Sequence, residues 1–215
     1  EIYNDKELKK EFKIETTSNS DCEIILHLYK KIGIKETIKR LSGYFAFILY
    51  DIEKDLYYCG RDPFGVRSLY YGKKKTNQEY IFCSEIKGLY HSCIPETIKI
   101  FPSGNYFNGK EFINYYSFLD NSFDNILNNN ENKTFIYNNL YNLLYSSVKK
   151  RLNMEREFGV LLSGGLDSSL IASLVSKIWG KPIRTFSIGL KDSPDLYYAR
   201  KVAEYIGSDH TEIEI

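Results

Sequence analysis

From Phe158 to the last residue, Ile215, the sequence alternates two periods, and this alternation restricts the fold more than any other feature. Phe158 to Leu162 is an apolar run of strand length, followed by a glycine-rich turn. Leu170, Ile171, Leu174, Val175 and Ile178 then recur on one helical face until Gly180 stops the helix. Arg184 to Leu190 reads as a second strand. Ser193-Pro194-Asp195 opens another helix, with serine as the cap and proline in the first turn; Gly207 closes it, and Thr211 to Ile215 starts a third strand. Strand, helix, strand, helix, strand predicts a parallel, doubly wound α/β sheet.

The turn in this unit carries the chemistry. Leu161-Leu162-Ser163-Gly164-Gly165-Leu166-Asp167-Ser168-Ser169 falls where a buried strand meets a helix. Two adjacent glycines let successive N–H groups converge, the helix N-terminus adds positive potential, and Ser163, Ser168 and Ser169 add hydroxyls. The pattern fits an oxyanion cradle. It is neither the GxxxxGK[ST] phosphate loop, because the lysine is missing, nor a GxGxxG dinucleotide turn. A plain strand-to-helix turn capped by Asp167 and Ser168 is the alternative.

The first half reads differently. Ser20-Asp21-Cys22-Glu23 has the spacing of a capping box, and Ile24, Ile25, Leu28, Tyr29 and Ile32 continue at helical spacing to Gly33; a shorter helix runs from Ile34 to Leu41. Tyr44 to Asp51 and Leu56 to Cys59 predict a β-hairpin, with further strands at Ser68 to Tyr71 and Tyr80 to Cys83, then a turn at Phe101 to Gly104. Such short sequential strands predict an antiparallel sheet with helices segregated from it. Asparagine-rich sequence without periodicity then intervenes, including Asn128-Asn129-Asn130. A long helix marked by Ile136, Leu140, Leu143, Leu144, Val148 and Leu152 follows. The expected organisation is a first domain over residues 1–119, a linker over 120–133 and a second domain over 134–215.

SGGLDSS resembles the PP-loop of the ATP pyrophosphatases, which split ATP between the α and β phosphates. That resemblance implies ATP binding by Ser163, Gly164, Gly165, Asp167, Ser168 and Ser169. It also implies Mg bridged to the phosphates by Asp167, and Leu161 and Ile188 at the strand tips flanking the adenosine. Gly60-Arg61-Asp62-Pro63-Phe64-Gly65-Val66-Arg67-Ser68-Leu69-Tyr70 is similar to the RDPxGxRPLY stretch of class II glutamine amidotransferases, where it is largely scaffold. Glu1-Ile2-Tyr3-Asn4 resembles the NGEIYN segment of that group. Glu1 then corresponds to the residue that contacts glutamine, and Asp21 to the carboxylate that receives the substrate α-amino group. Asp21 also reads as a first-turn acidic residue favoured by the helix dipole, and the two roles are compatible.

With Gly189-Leu190 through Ser193-Pro194-Asp195-Leu196 and with Ala199 and Val202 added, the whole chain resembles the family of glutamine-hydrolysing asparagine synthetases. The implied fold is an α+β, antiparallel-sheet, N-terminal nucleophile hydrolase-like domain followed by an α/β parallel-sheet PP-loop domain, each incomplete. The implied activity joins two reactions: ATP activates the aspartate side chain as β-aspartyl-AMP, releasing pyrophosphate, and ammonia from glutamine displaces AMP. Glutamine, aspartate and ATP are the implied substrates. A β-lactam synthetase-like ligase and a non-catalytic nucleotide-binding homologue are the alternatives.

Departures accompany the resemblance. The nucleophile of the amidotransferases is an N-terminal cysteine whereas this chain starts at Glu1, and the resemblance puts the aspartate-binding and adenylate-completing residues beyond Ile215, so neither active site is expected to be complete here. Cys22 is no substitute, because His27 lies five positions on, where a helix does not bring side chains together. His91 and His210 read as surface or packing residues. The four cysteines match no metal or disulfide spacing and read as reduced, mostly buried small hydrophobes. With 29 basic against 28 acidic residues, the net charge of +1 gives no electrostatic case for nucleic acid or an anionic membrane. No apolar run approaches membrane-spanning length. A cytoplasmic enzyme, compatible with a homodimer, is the expectation.

Overall fold

Glycine and the hairpin turns divide the first part of the chain into short elements that pack in layers. The computed structural model describes residues 1–117, 133–152 and 157–215, and the chain forms two units, Glu1–Leu127 and Asn128–Ile215. Residues 120–132 of the expected linker lie outside the described residues.

The first unit begins with helices α1 (Asp5–Phe12) and α2 (Glu23–Arg40). Gly33, at φ 74° and ψ 169°, breaks α2 into the two helices that the sequence predicts. Helix α1 is not anticipated, because eight residues with one buried leucine carry too little periodicity to register. The capping box at Ser20 does not form. Ser20 Oγ accepts from the Cys22 N–H at 3.3 Å, and Glu23 turns outward to accept from the backbone N–H and hydroxyl groups of Thr17 and Ser18.

Strands β1 (Ala46–Asp51) and β2 (Leu56–Arg61) make the predicted hairpin, in register from Ala46 opposite Arg61 to Asp51 opposite Leu56. Instead of one antiparallel sheet there are two among the described residues. With β6 (Asn105–Phe107) and β7 (Phe112–Asn114), the first has the order β1-β2-β6-β7; the second, from β3 (Tyr70–Lys73), β4 (Tyr80–Cys83) and β5 (Lys99–Ile100), has the order β4-β3-β5. Helix α3 (Lys87–Tyr90) follows β4. Strands of two or three residues fall below what alternation reveals, so β5 to β7 were not legible.

Two cores account for the layering. Ile24, Leu28 and Ile38 of α2 pack with Phe45 and Leu49, while Cys59 and Phe107 of one sheet share a second cluster with Tyr71 and Phe82 of the other. Each fully buried Leu or Phe contributes roughly 1.5–3 kcal/mol of transfer free energy. The hairpin is anchored to α2 by a polar trio: Asp51 accepts from the Tyr29 hydroxyl at 2.5 Å and from Lys54 Nζ at 2.8 Å. Cys59 and Cys93 are buried, Cys83 is partly buried and Cys22 is exposed, and all four are unpaired thiols.

The second unit is the expected parallel arrangement. Strands β8 (Val160–Leu161), β9 (Arg184–Gly189) and β10 (Asp209–Glu214) form a sheet of order β10-β9-β8, parallel throughout, with β9 central. Around it run α4 (Lys133–Arg151), α5 (Leu166–Trp179) and α6 (Pro194–Ile206). Gly180 and Gly207 end α5 and α6 in left-handed conformation, and the Ser193 side chain caps α6 by accepting from the Asp195 N–H at 3.3 Å.

Two expectations need correction. The run Phe158 to Leu162 is strand only at Val160–Leu161, and it is not wholly buried, since Leu162 is enclosed while Leu161 faces outward. Of the residues marking α4, only Val148 is buried; Ile136, Leu140 and Leu143 are exposed, so this helix meets its core only through its last turns. No helix among the described residues is long and apolar enough to cross a membrane.

Candidate functional site

The loop between β8 and α5 and the first turn of α5 gather the six sequence-predicted positions between Ser163 and Ser169. Gly164 adopts φ 76°, and a Cβ there would lie 2.5 Å from the Ala199 nitrogen and 2.6 Å from the Tyr198 Cβ, so only glycine fits against α6. Ser163 Oγ and Ser168 Oγ pair at 2.9 Å across the loop mouth, and Ser168 Oγ also donates to the Gly165 carbonyl at 3.1 Å. The two serines thus close the loop on itself.

Helix α5 starts at Leu166 with Gly165 in the cap position and no side chain capping it. The reading in which Asp167 and Ser168 cap the helix therefore fails: both already lie inside its first turn. The first N–H groups of a helix have no intrahelical acceptor, and a small anion is the partner that unites donors and dipole. Asp167 lies in that turn, exposed. Ser169 Oγ is shut off from solvent with no hydrogen-bond partner among the described residues.

Leu161 and Ile188 share one face of the sheet, because Leu161 pairs in register with Phe186 and Ile188 is two residues further along β9. Both are well exposed, at 80% and 63%. An apolar surface thus borders the anion cradle at the carboxyl edge of the strands, where α/β sheets bind ligands. These features fit a nucleoside polyphosphate. For Mg the fit is partial in itself: among the described residues no group of three His, Cys, Asp or Glu could hold a metal. A single carboxylate suffices where the ligand's phosphate oxygens and water complete the shell.

In the first unit, the structure brings Glu1 and Asp21 together. Asp21 Oδ2 accepts the Ile2 N–H at 2.5 Å and lies 4.0 Å from the Glu1 amino nitrogen. The segment is held by a bridge between Ile2 and Gly43 and by Tyr3 N–H donating to the Ser42 carbonyl at 2.7 Å. Gly43 is a site residue that sequence reasoning missed. It reads as a helix stop, yet a Cβ there would fall 2.0 Å from the Glu1 carbonyl oxygen.

Cys22 is exposed, but partial burial of its thiol and then the neighbouring Asp21 carboxylate push its pKa above the ordinary value, which suppresses the thiolate. His27 Nε2 pairs with Glu23 Oε1 at 3.1 Å rather than with the cysteine. No nucleophile–base pair forms here, as the helical spacing predicts.

The Arg61–Asp62 segment is internally satisfied. Arg61 donates to the carbonyls of Gly65, Arg67 and Phe101 at 2.7, 2.8 and 2.6 Å, and the fully buried Asp62 accepts from the N–H groups of Phe64, Val66 and Arg67 at 3.0, 3.1 and 3.3 Å. This is scaffold, as expected. His210 likewise packs, its ring nitrogens bonded to Thr185 Oγ1 at 2.9 Å and Ser187 Oγ at 3.1 Å.

Comparisons with known proteins agree with this division. Residues 1–91 match the family model described as a glutamine amidotransferase domain, and residues 139–215 the one described as asparagine synthase. The glutamine-hydrolysing asparagine synthetase of Mus musculus is 43% identical over 240 residues, covering 99% of this chain and 42% of the mouse protein. That of Homo sapiens is 42% identical over the same shares, and that of Gallus gallus 37% over 241 residues. The chain thus spans about two fifths of the length of these curated relatives. It carries a match to a glutamine amidotransferase domain followed by one to an asparagine synthase domain, and over nearly its whole length it is similar to glutamine-hydrolysing asparagine synthetases.

Proposed function

We propose that the chain serves ATP-dependent synthesis of asparagine from aspartate, with glutamine as the ammonia donor. An oxygen of the aspartate side-chain carboxylate attacks the α-phosphorus of ATP and pyrophosphate leaves, giving β-aspartyl-AMP. Glutamine hydrolysis yields glutamate and ammonia; the ammonia nitrogen then attacks the acyl carbon and AMP departs. A carboxylate is a poor acyl donor until one oxygen becomes a good leaving group, which is the role of the adenylate.

The single observation that carries this reading is the uncapped helix start behind Gly164 and Gly165. The loop N–H groups receive the phosphate oxygens, Ser163 and Ser168 hold the loop closed, and Leu161 and Ile188 flank the adenosine. Asp167 would hold Mg, which would supply neutralisation of phosphate charge when bound. On the other side, Glu1 contacts glutamine and Asp21 receives its α-ammonium; Asp21 is already positioned, by the Ile2 N–H, beside Glu1.

The fold names belong to the same reading: an N-terminal nucleophile hydrolase-type first domain over 1–119, a linker over 120–133 and a PP-loop domain over 134–215. The family matches at 1–91 and 139–215 and the division at Leu127–Asn128 support it. The test is amino-acid-dependent exchange of labelled pyrophosphate into ATP by the enzyme carrying this chain. Exchange that depends on aspartate is expected; exchange indifferent to aspartate would contradict the assignment.

A further inference from the structure

The phosphate loop has a backstop. Gly164 rests on the backbone of α6 at Tyr198 and Ala199 with no room for a Cβ. Beneath that contact, the fully buried Ala199 side chain clusters with Leu162, the residue before the loop, and with Ala172 of α5, the helix that follows it. The loop is strung between Leu162 and α5, and of the α6 residues packed against these two in the cluster, Ala199 is the one whose backbone also meets Gly164.

Helix α6 cannot easily slide away. Arg200 clamps it to β10 through two bonds to the Glu212 carboxylate, 2.7 and 2.9 Å long. Leu196 closes on Gly189, where a Cβ would come within 3.1 Å of it. Close-packed interiors pass a volume change on as displacement rather than absorb it. At this position the displaced part is the loop backbone whose N–H groups face the anion.

We propose that Ala199 is a positioning residue for the phosphate loop: through α6 it fixes the place of Gly164 and hence the aim of the uncapped first turn of α5. The claim about geometry stands on the structure; the claim about ligand rests on the ATP reading above. Ala203 provides the control, because it belongs to the same cluster one turn further along and does not touch Gly164.

The experiment compares Ala199→Val with Ala203→Val in the full chain by two readouts, amide hydrogen exchange at Gly164 to Leu166 and equilibrium binding of inorganic pyrophosphate, Mg·ATP and AMP. Since small misplacements at such sites cost one to two decades, Ala199→Val is expected to speed exchange of the loop amides about tenfold. It should weaken pyrophosphate and ATP about tenfold while AMP is unchanged. Ala203→Val should lower thermal stability without either effect, and Ala199→Ser should behave as wild type.

Loop exchange that is unaltered in Ala199→Val, or altered equally in both valine variants, overturns the positioning role. Altered exchange in a chain that binds neither pyrophosphate nor ATP upholds the positioning role and overturns the ATP reading instead. Should the valine variant fail to fold, Ala199→Cys carries the same expectation at about threefold, in proportion to its smaller volume change.

Discussion

The two glycine-containing loops that leave strands β2 and β8 use their backbone donors in opposite ways. After β2, the buried Asp62 collects three N–H groups and Arg61 fills three carbonyls, so nothing is left over for a ligand. After β8, Gly165 supplies no cap, and the start of α5 is left without a side-chain acceptor. Helix α6 in the same unit shows that the chain caps a helix where it only needs one, through Ser193. A loop whose donors are engaged is scaffold; one that satisfies the Ser163 and Gly165 N–H groups internally but leaves the first turn of its helix without a side-chain cap is built for a partner.

Removing the acceptor in the first loop should give the largest effect on stability. Asp62→Ala strands three donors in a buried setting and is expected to cost about 3 kcal/mol, measured by chemical denaturation. Supplying an acceptor in the second loop should do the reverse. Gly165 has an ordinary backbone conformation and an added Cβ would meet only Ser163 Oγ, at 3.5 Å. Gly165→Asp is therefore expected to raise stability by a few tenths of a kcal/mol through capping, yet to weaken ATP binding about a hundredfold through like-charge repulsion. A variant that gains stability and binds ATP unchanged would erase the contrast between the loops.

Asp167→Ala should sharpen it. Being exposed and without an ion pair among the described residues, Asp167 is expected to leave stability within about 0.5 kcal/mol when removed. Affinity for Mg·ATP should fall about tenfold, and affinity for ATP in EDTA should not change. Titration calorimetry with and without Mg separates the two.

The smallest effect concerns the trio that anchors the first hairpin. Hydrogen bonds from Lys54 and then Tyr29 hold the Asp51 carboxyl at about 2, below its ordinary 3.8, so its stabilisation is present above the ordinary value and lost as pH falls from about 4 to about 2. Burial first, and the bond to Asp51 second, raise Tyr29 from 10.0 to about 12; that stabilisation is present below pH 10 and lost as pH rises toward 12. Asp51→Asn should flatten the acid limb of a stability–pH curve, and an unaltered limb would place the acid sensitivity elsewhere.

Much of the second unit was legible because its signals are local. Ser193-Pro194, Gly180, Gly207 and the Ser163–Ser169 run announce themselves within a few residues. The first unit hid more. Strand β6 is three residues long, and its pairing with Cys59 and Gly60 spans more than forty positions, so no nearby pattern betrays that the first hairpin widens into a larger sheet. Gly43 and Ala199 show the same limit within the candidate sites. Gly43 matters through the atom it lacks, which would collide with Glu1, and Ala199 through its cluster with Leu162, each far away in sequence. The glutamate of the Ser20 capping box was misassigned because Thr17 and Ser18 compete for it with four donors.

The Arg61–Asp62 knot also has a kinetic meaning. Its pins close long spans: Arg61 reaches the Phe101 carbonyl 40 positions away, and the Tyr115 hydroxyl returns to the Arg61 carbonyl across 54. Loops of that length pay their closure entropy before any bond rewards it, so these pins form after the hairpin and the α2 core. Bonds made that late are absent from the rate-limiting step of folding but must break on the way out. The segment that looks like inert scaffold in the folded protein is thus a latch on its lifetime: it does little to hasten folding and much to delay unfolding.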